Sequence, residues 1–318
     1  MNQIILEQRK RVIEDWLETS HADKNVLSVS LGSSKRDSKT EVEIIGIKVG
    51  IFRVGCDGNP QLGKSILESF DGDLRISAYG LGGIDLWLGK KKYLSKRAEI
   101  LIKNIRKTPF FDGWGLKDTL ERRAILYLRE IFSLDKKRVF LVSGIDRFGM
   151  AEELEKCECK MTYGDFMFTL NLPIPLRSLR SLNLMAGIFL RFGSYFPIRT
   201  NYPIGEEQEV NTPKFQTFFE KSDFIVGDFI YIKRYMPKSL KGKIIITNTT
   251  TEEDVKILDS RGASYLITTT PRIKGRTFGT NVMEAVFASV LKARDNLSNY
   301  NDLLDEMNYK PEILKMNP

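Results

Sequence analysis

From Arg138 onward one pattern constrains the fold more than any other feature: short apolar, largely β-branched runs bounded by Gly, Asn, Thr or Pro, at Arg138–Ser143, Lys160–Tyr163, Phe224–Val226, Ile244–Thr247 and Tyr265–Thr268. Such runs suit strands buried on both faces, and helical stretches at Gly149–Lys156 and Glu252–Arg261 can cover them. The predicted architecture is a parallel, doubly wound sheet. The segment Phe166–Pro213, with Pro173, Pro175, Pro197, Pro203 and Pro213, interrupts this rhythm as an insert that is helical over Leu176–Phe192. The N-terminal part is also mixed. It reads as a helix at Ile4–Leu17, a strand at Val26–Leu31, a hairpin at Val42–Val54 and a helix at Pro60–Phe70. A glycine-broken strand at Leu74–Leu88, a helix at Lys96–Arg106 and a short strand at Pro109–Phe111 follow, before a long helix from Lys117 to Ile131. The fold class is therefore α/β. An N-terminal domain is expected over residues 1–115, a doubly wound domain over 116–293 carrying the insert 166–213, and a C-terminal tail over 294–318.

The length of 318 residues gives room for two buried cores. With 42% apolar and 28% charged residues, disorder and low-complexity architectures are excluded. The charge-free runs Phe166–Leu176 and Ser181–Leu190 are each about half of the ~20 residues that span a bilayer, so no membrane helix is expected. Charges at Glu7, Arg9, Lys10 and Arg11 leave no apolar signal region, which points to the cytoplasm. Three cysteines without a Cys-x-x-Cys pair and a single histidine, His21, exclude a disulfide framework, a Ser-His-Asp triad and a histidine-rich metal site. Lysine and carboxylate chemistry remains. The net charge of +8 favours an anionic small-molecule partner. Nucleic acid is disfavoured because the basic residues are dispersed and no helix-turn-helix or zinc-finger spacing is present.

Four constellations carry chemistry. The first is the strand and turn running from Val139 through Ser143, Gly144, Ile145, Asp146, Arg147, Phe148 and Gly149 to Ala151. Backbone amides at such a turn suit a pyrophosphate, and Asp165 ends the next strand 21 residues after Gly144, where an acidic side chain reaches the ribose hydroxyls of NAD. A carboxylate there repels a 2′-phosphate and favours NAD over NADP. An ordinary strand-helix turn with the same glycines remains open.

The second is Asp112-Gly113-Trp114-Gly115-Leu116-Lys117-Asp118-Thr119-Leu120. This run resembles the Asp-Gly-x-Gly-Phe/Leu-x-x-Ser/Thr-Leu motif of the quinate and shikimate 5-dehydrogenases. The resemblance extends to domain order, a substrate domain before a Rossmann-like domain. It includes Gly279-Thr280-Asn281-Val282-Met283, similar to the helix start that faces the nicotinamide. It implies an NAD-dependent hydride transfer to or from a ring hydroxyl of a carboxylic acid, with Asp112 as the aspartate of a Lys–Asp pair. The family's Gly-Ala-Gly-Gly loop and Asn-Val-Thr-x-Pro-x-Lys motif have no counterpart. Lys92, in the run Lys90-Lys91-Lys92, is the candidate lysine, and a solvated charge run is the alternative.

The third is Ser33-Ser34-Lys35-Arg36 at a strand end, whose paired serines are similar to those that hold the substrate carboxylate in that family, with Arg36 assisting. A polar turn is equally consistent. The fourth is the pair of threonine-rich strand ends containing Asn248, Thr249 and Thr269, which would line a cofactor crevice. A scaffold that binds an anionic metabolite or nucleotide without hydride chemistry is the rival reading. Apolar insert residues such as Leu184, Ile188 and Phe189 could cover the site or form a homodimer face.

Overall fold

The computed structural model describes residues 3–90, 93–94, 96–192, 205–294 and 296–316. The first sheet uses β1 (Lys24–Ser30), β2 (Ser38–Ile44), β3 (Ile47–Gly55), β4 (Ala78–Gly82) and, beyond a ribbon of β5 (Trp87–Leu88) and β6 (Tyr93–Leu94), β7 (Phe110–Phe111). Its order is β2-β3-β1-β4-β7, parallel except for the edge strand β2. Central β1 is buried along nearly its whole length, whereas β2 turns Thr40, Val42 and Ile44 inward and Lys39, Glu41 and Glu43 outward. Ile45 and Gly46, with φ of 45° and 80°, close the β2–β3 hairpin in the twist that tight hairpins require.

One face of this sheet is covered by α1 (Gln3–Thr19), α2 (Pro60–Ser69) and α3 (Lys96–Ile102), which contribute Ile13, Trp16, Ile66, Leu67 and Leu101 to the core. Asn59 accepts the amides of Gln61 and Leu62 and Pro60 occupies the first turn, which fixes where α2 begins.

The long helix expected from Lys117 starts earlier and breaks at Thr119, giving α4 (Trp114–Asp118) and α5 (Leu120–Ile131). The second sheet follows with β8 (Arg138–Leu141), β9 (Lys160–Tyr163), β10 (Phe224–Val226), β11 (Ile244–Thr247) and β12 (Tyr265–Thr268). A hairpin of β13 (Arg272–Ile273) and β14 (Arg276–Thr277) and the strand β15 (Glu312–Lys315) complete the strands. The sheet order is β15-β12-β11-β10-β8-β9, with only β15 antiparallel. The two faces have separate cores. Ile125 and Leu128 of α5, Met150 and Leu154 of α6 (Phe148–Lys156) and Leu182 of α8 (Leu179–Phe192) fill one. Residues of α7 (Asp165–Leu170), α9 (Gln216–Lys221), α10 (Phe229–Tyr235) and α11 (Glu252–Ser260) fill the other, with Phe168, Phe219 and Phe229 fully buried. This is the expected doubly wound arrangement.

The C-terminal region departs from a plain tail. α12 (Thr280–Leu291) crosses back to the first sheet and packs Met283, Val286 and Phe287 against Val26, Ile51 and Ala78. α13 (Tyr300–Glu306) adds Leu303 and Leu304 to the same core, and β15 then returns to the edge of the second sheet. The two sheets thus share covering elements, because the first sheet's second face has no helix of its own among residues before α4.

Candidate functional site

A cleft lies where Ser28 and Ser30 of β1 and Leu81 and Gly82 of β4 face the loops after β8, β10 and β11, with the start of α12 alongside. In the second sheet the chain leaves β8 for β9 on one side and returns to β10 on the other, so the cleft includes the switch point at which open α/β sheets bind ligands. Small residues keep it open: a Cβ on Gly82 would stand 2.6 Å from Ser30 Oγ.

Lys117 of α4 enters this cleft although it is only 3% exposed. Its Nζ lies 2.5 Å from Asp146 Oδ1 and 3.1 Å from Asp85 Oδ1. Burial alone would depress the lysine, but Asp146 and Asp85 hold its pKa above the ordinary value. The two acids respond in opposite directions. Burial raises Asp85, while Lys117 and Arg147 overcome the same penalty at Asp146 and lower it. The group nearest neutrality beside the lysine is therefore Asp85.

The Asp-Gly-Trp-Gly run is what places Lys117. Asp112 Oδ2 accepts the amides of Leu86 and Trp87, each at 2.9 Å, and its Oδ1 accepts the Trp114 amide at 3.1 Å. Asp112 lines the cleft, but its carboxylate is engaged in pinning the chain beside Asp85 to the start of α4. Gly113 has a φ of 94°, and any side chain there would collide with Thr280 at the start of α12. Glu284 of α12 accepts the Gly115 amide at 3.0 Å and is raised to about 7, chiefly by burial and next by the Asp112 charge.

Across the same cleft Arg36, Arg53 and Arg276 converge. Arg53 donates to Ser33 O and Asp37 Oδ1 at 3.1 Å and to Ser30 Oγ at 3.1 Å. Arg36 Nη2 donates to Thr249 O at 2.7 Å, while its buried Nη1 has no partner. Arg276 donates through Nη1 to Arg36 O at 3.2 Å, stacks its guanidinium over Phe278 and leaves Nε buried without a partner. Burial together with the neighbouring guanidiniums lowers both Arg53 and Arg276 to about 10.

The residues singled out in the sequence fall into distinct places. Arg36, Asp112, Arg147, Thr249 and Gly279 line the cleft. Ser33 caps the short turn Ser34–Arg36 by accepting the Lys35 amide, and the Ser34 amide donates to Asp57; in place of these serines, Ser28 and Ser30 face the cleft. Lys92 lies outside the described residues. Lys117, five residues after Asp112, forms its ion pairs with Asp85 and Asp146; a lysine inside a helix start carries no sequence mark of burial.

The turn after β8 is filled by the protein itself. Asp165 accepts the amides of Gly144 and Ile145, both at 2.9 Å, so its carboxylate occupies the donors expected to meet a pyrophosphate. Burial raises it to about 6. A Cβ on Gly144 would meet Tyr163 and Leu182, and one on Gly149 would run into the carbonyl of Lys117. Phe148 packs against Trp114 with ring centroids 5.5 Å apart. Arg147 is ion-paired to Glu121 and reaches Asp228 at 3.2 Å. Glu121 also accepts from Asn248, which in turn accepts from Thr249. Thr269 is fully buried, and Met283 is buried in the core against the first sheet rather than facing the cleft. Among the described residues no group of three or more His, Cys, Asp or Glu is placed to hold a metal, and no helix is long and apolar enough to cross a membrane.

The fold defines a two-sheet α/β protein with a cleft between its sheets. The chain belongs to the family described as Domain of unknown function (DUF8754), which matches residues 115–316, while residues 25–112 match Domain of unknown function (DUF8753). No curated protein matches the sequence. Among solved structures it is similar to a galactofuranose binding protein, at 11% identity and a TM-score of 0.35 over 90% of this chain and 97% of that one. A hetero-hexameric glutamate dehydrogenase from Thermus thermophilus matches at 11% identity and a TM-score of 0.41, over 89% and 72% of the two chains. The bifunctional methylenetetrahydrofolate dehydrogenase/cyclohydrolase from Campylobacter jejuni matches at 10% identity and a TM-score of 0.33, over 92% and 96%.

Proposed function

We propose that the protein binds a small hydroxylated anion in the cleft between its sheets, with the negative group among Arg36, Arg53 and Arg276 and a hydroxyl against Lys117 and Asp85. The observation that carries this reading is the buried, unpartnered Arg36 Nη1 beside two further guanidiniums in the cleft wall. A buried donor without an acceptor costs about 1–3 kcal/mol, which an incoming anion would offset. Asp85 accepts the hydrogen bond of the ligand hydroxyl and the Lys117 ammonium donates to its oxygen. The resemblance to quinate and shikimate dehydrogenases makes hydroxy acids of that kind the first ligands to try.

The NAD-dependent oxidoreductase reading is the alternative, favoured by the same lysine–carboxylate pair. A nicotinamide cofactor supplies a hydride acceptor when bound. The turn after β8 does not fit its pyrophosphate, because Asp165 holds both available amides and its charge would repel phosphate. Titration with quinate, shikimate and malate, followed by tryptophan fluorescence, tests the proposal. Saturable binding that weakens at least tenfold in Arg276→Gln supports it, and no binding of any of these anions or of inorganic phosphate refutes it. Reduction of NAD on addition of a bound acid, lost in Lys117→Met, would select the oxidoreductase instead.

A further inference from the structure

We propose that the anion held at Arg36, Arg53 and Arg276 is a phosphate dianion, so that the ligand of the cleft is a phosphorylated hydroxy compound. The proposal rests on the anion-binding reading above and narrows its substrate class. A single carboxylate is satisfied by one guanidinium fork, whereas this site brings three guanidiniums from separate elements to one wall. Arg36 follows β1, Arg53 stands in β3, and Arg276 is carried by the β13–β14 hairpin of the other half of the chain.

The ion pairs around the three arginines leave room for an anion. Asp37, 3.1 Å from Arg53, is shared with Arg9 at 2.9 Å. Asp254, 3.6 Å from Arg36, is shared with Lys233 at 2.9 Å. Arg276 has no ion pair to a described carboxylate. Arg9 in turn reaches Asp57 at 3.6 Å and Lys233 reaches Glu209 at 2.6 Å, so five cations meet four carboxylates and positive charge is left over for an anionic ligand. The unpartnered donors, Arg36 Nη1 and Arg276 Nε, belong to neighbouring side chains from distant parts of the chain, joined by the Arg276–Arg36 hydrogen bond. A tetrahedral group with several peripheral oxygens can bond both while leaving an oxygen for Arg53. Arg36 and Arg53 are each only 8% exposed, which strengthens their attraction for an anion.

The test is calorimetric titration of the full chain with inorganic phosphate at fixed ionic strength, compared with malate and acetate. Phosphate is expected to bind saturably and at least tenfold tighter than either carboxylate, and Arg276→Gln is expected to weaken it at least tenfold. Arg276 makes one hydrogen bond and one ring contact, so this variant keeps the fold better than Arg36→Gln, and its circular dichroism and melting temperature are measured alongside. Phosphate binding no tighter than malate overturns the proposal, as does undiminished binding in Arg276→Gln. Arg276-dependent binding of malate without a phosphate preference would overturn the phosphate assignment and leave the anion-binding function standing. Failure of all three anions would remove both.

Discussion

Replacing Glu284 by glutamine should reverse part of the protein's dependence on pH. Glu284 is 6% exposed, its Oε2 has no partner, and it joins α12 to the amide of Gly115 beneath the cleft. Its pKa rises from 4.5 in the unfolded chain to about 7 in the fold, chiefly through burial. A carboxyl raised in this direction contributes its stability below about pH 4.5, where both states are protonated, and loses it as pH climbs through 7. At 1.36 kcal/mol per unit, holding the ionised group at pH 8 costs roughly 3 kcal/mol, against about 1 kcal/mol at pH 5. The amide keeps the acceptor for Gly115 and never ionises. Whatever fixed penalty its extra N–H donors bring, the stability difference between variant and wild type should move by roughly 2–3 kcal/mol in the variant's favour between pH 5 and pH 8. Guanidinium unfolding followed through tryptophan fluorescence at several pH values measures it. Parallel pH profiles for the two proteins would refute the assignment of Glu284 as a buried, strained carboxylate.

Two further substitutions probe the turn after β8 and the contact beneath Lys117. Gly149→Ala places a methyl group in the path of the Lys117 carbonyl and should cost about 1–3 kcal/mol of stability by overpacking, more if α4 cannot shift; an unchanged denaturation midpoint would show that α4 and α6 are not in close contact. Asp165→Ala uncovers the amides of Gly144 and Ile145 and should destabilise by roughly 1–3 kcal/mol for each buried donor left without an acceptor, whereas a variant as stable as wild type would mean that water already serves those amides.

The doubly wound sheet was legible because its strands are buried on both faces. A run such as Ile244–Thr247 needs helices above and below it, and the local pattern of such runs carries that requirement without any knowledge of distant residues. The hairpin over Val42–Val54 and the helix from Pro60 were legible for a similar reason, since the turn at Gly46 and the cap at Asn59 each depend on the chemistry of a few adjacent residues. The motif at Asp112 was visible as a motif, but its glycines answer to Thr280 and Glu284, far along the chain. Nothing in the sequence marks Lys117, rather than the run Lys90-Lys91-Lys92, as the buried lysine. That burial arises only when α4 is clamped among Asp85, Asp146 and the start of α6.

Periodicity and turn chemistry, properties of neighbouring residues, settled the α/β class and placed the five parallel strands of the second sheet. The location of the cleft, the convergence of Arg36 with Arg276, and the occupation of the glycine turn by Asp165 were decided in tertiary structure. Each depends on segments tens to hundreds of residues apart meeting at the ends of two sheets, and a charged side chain looks the same in sequence whether it will face water or another charge.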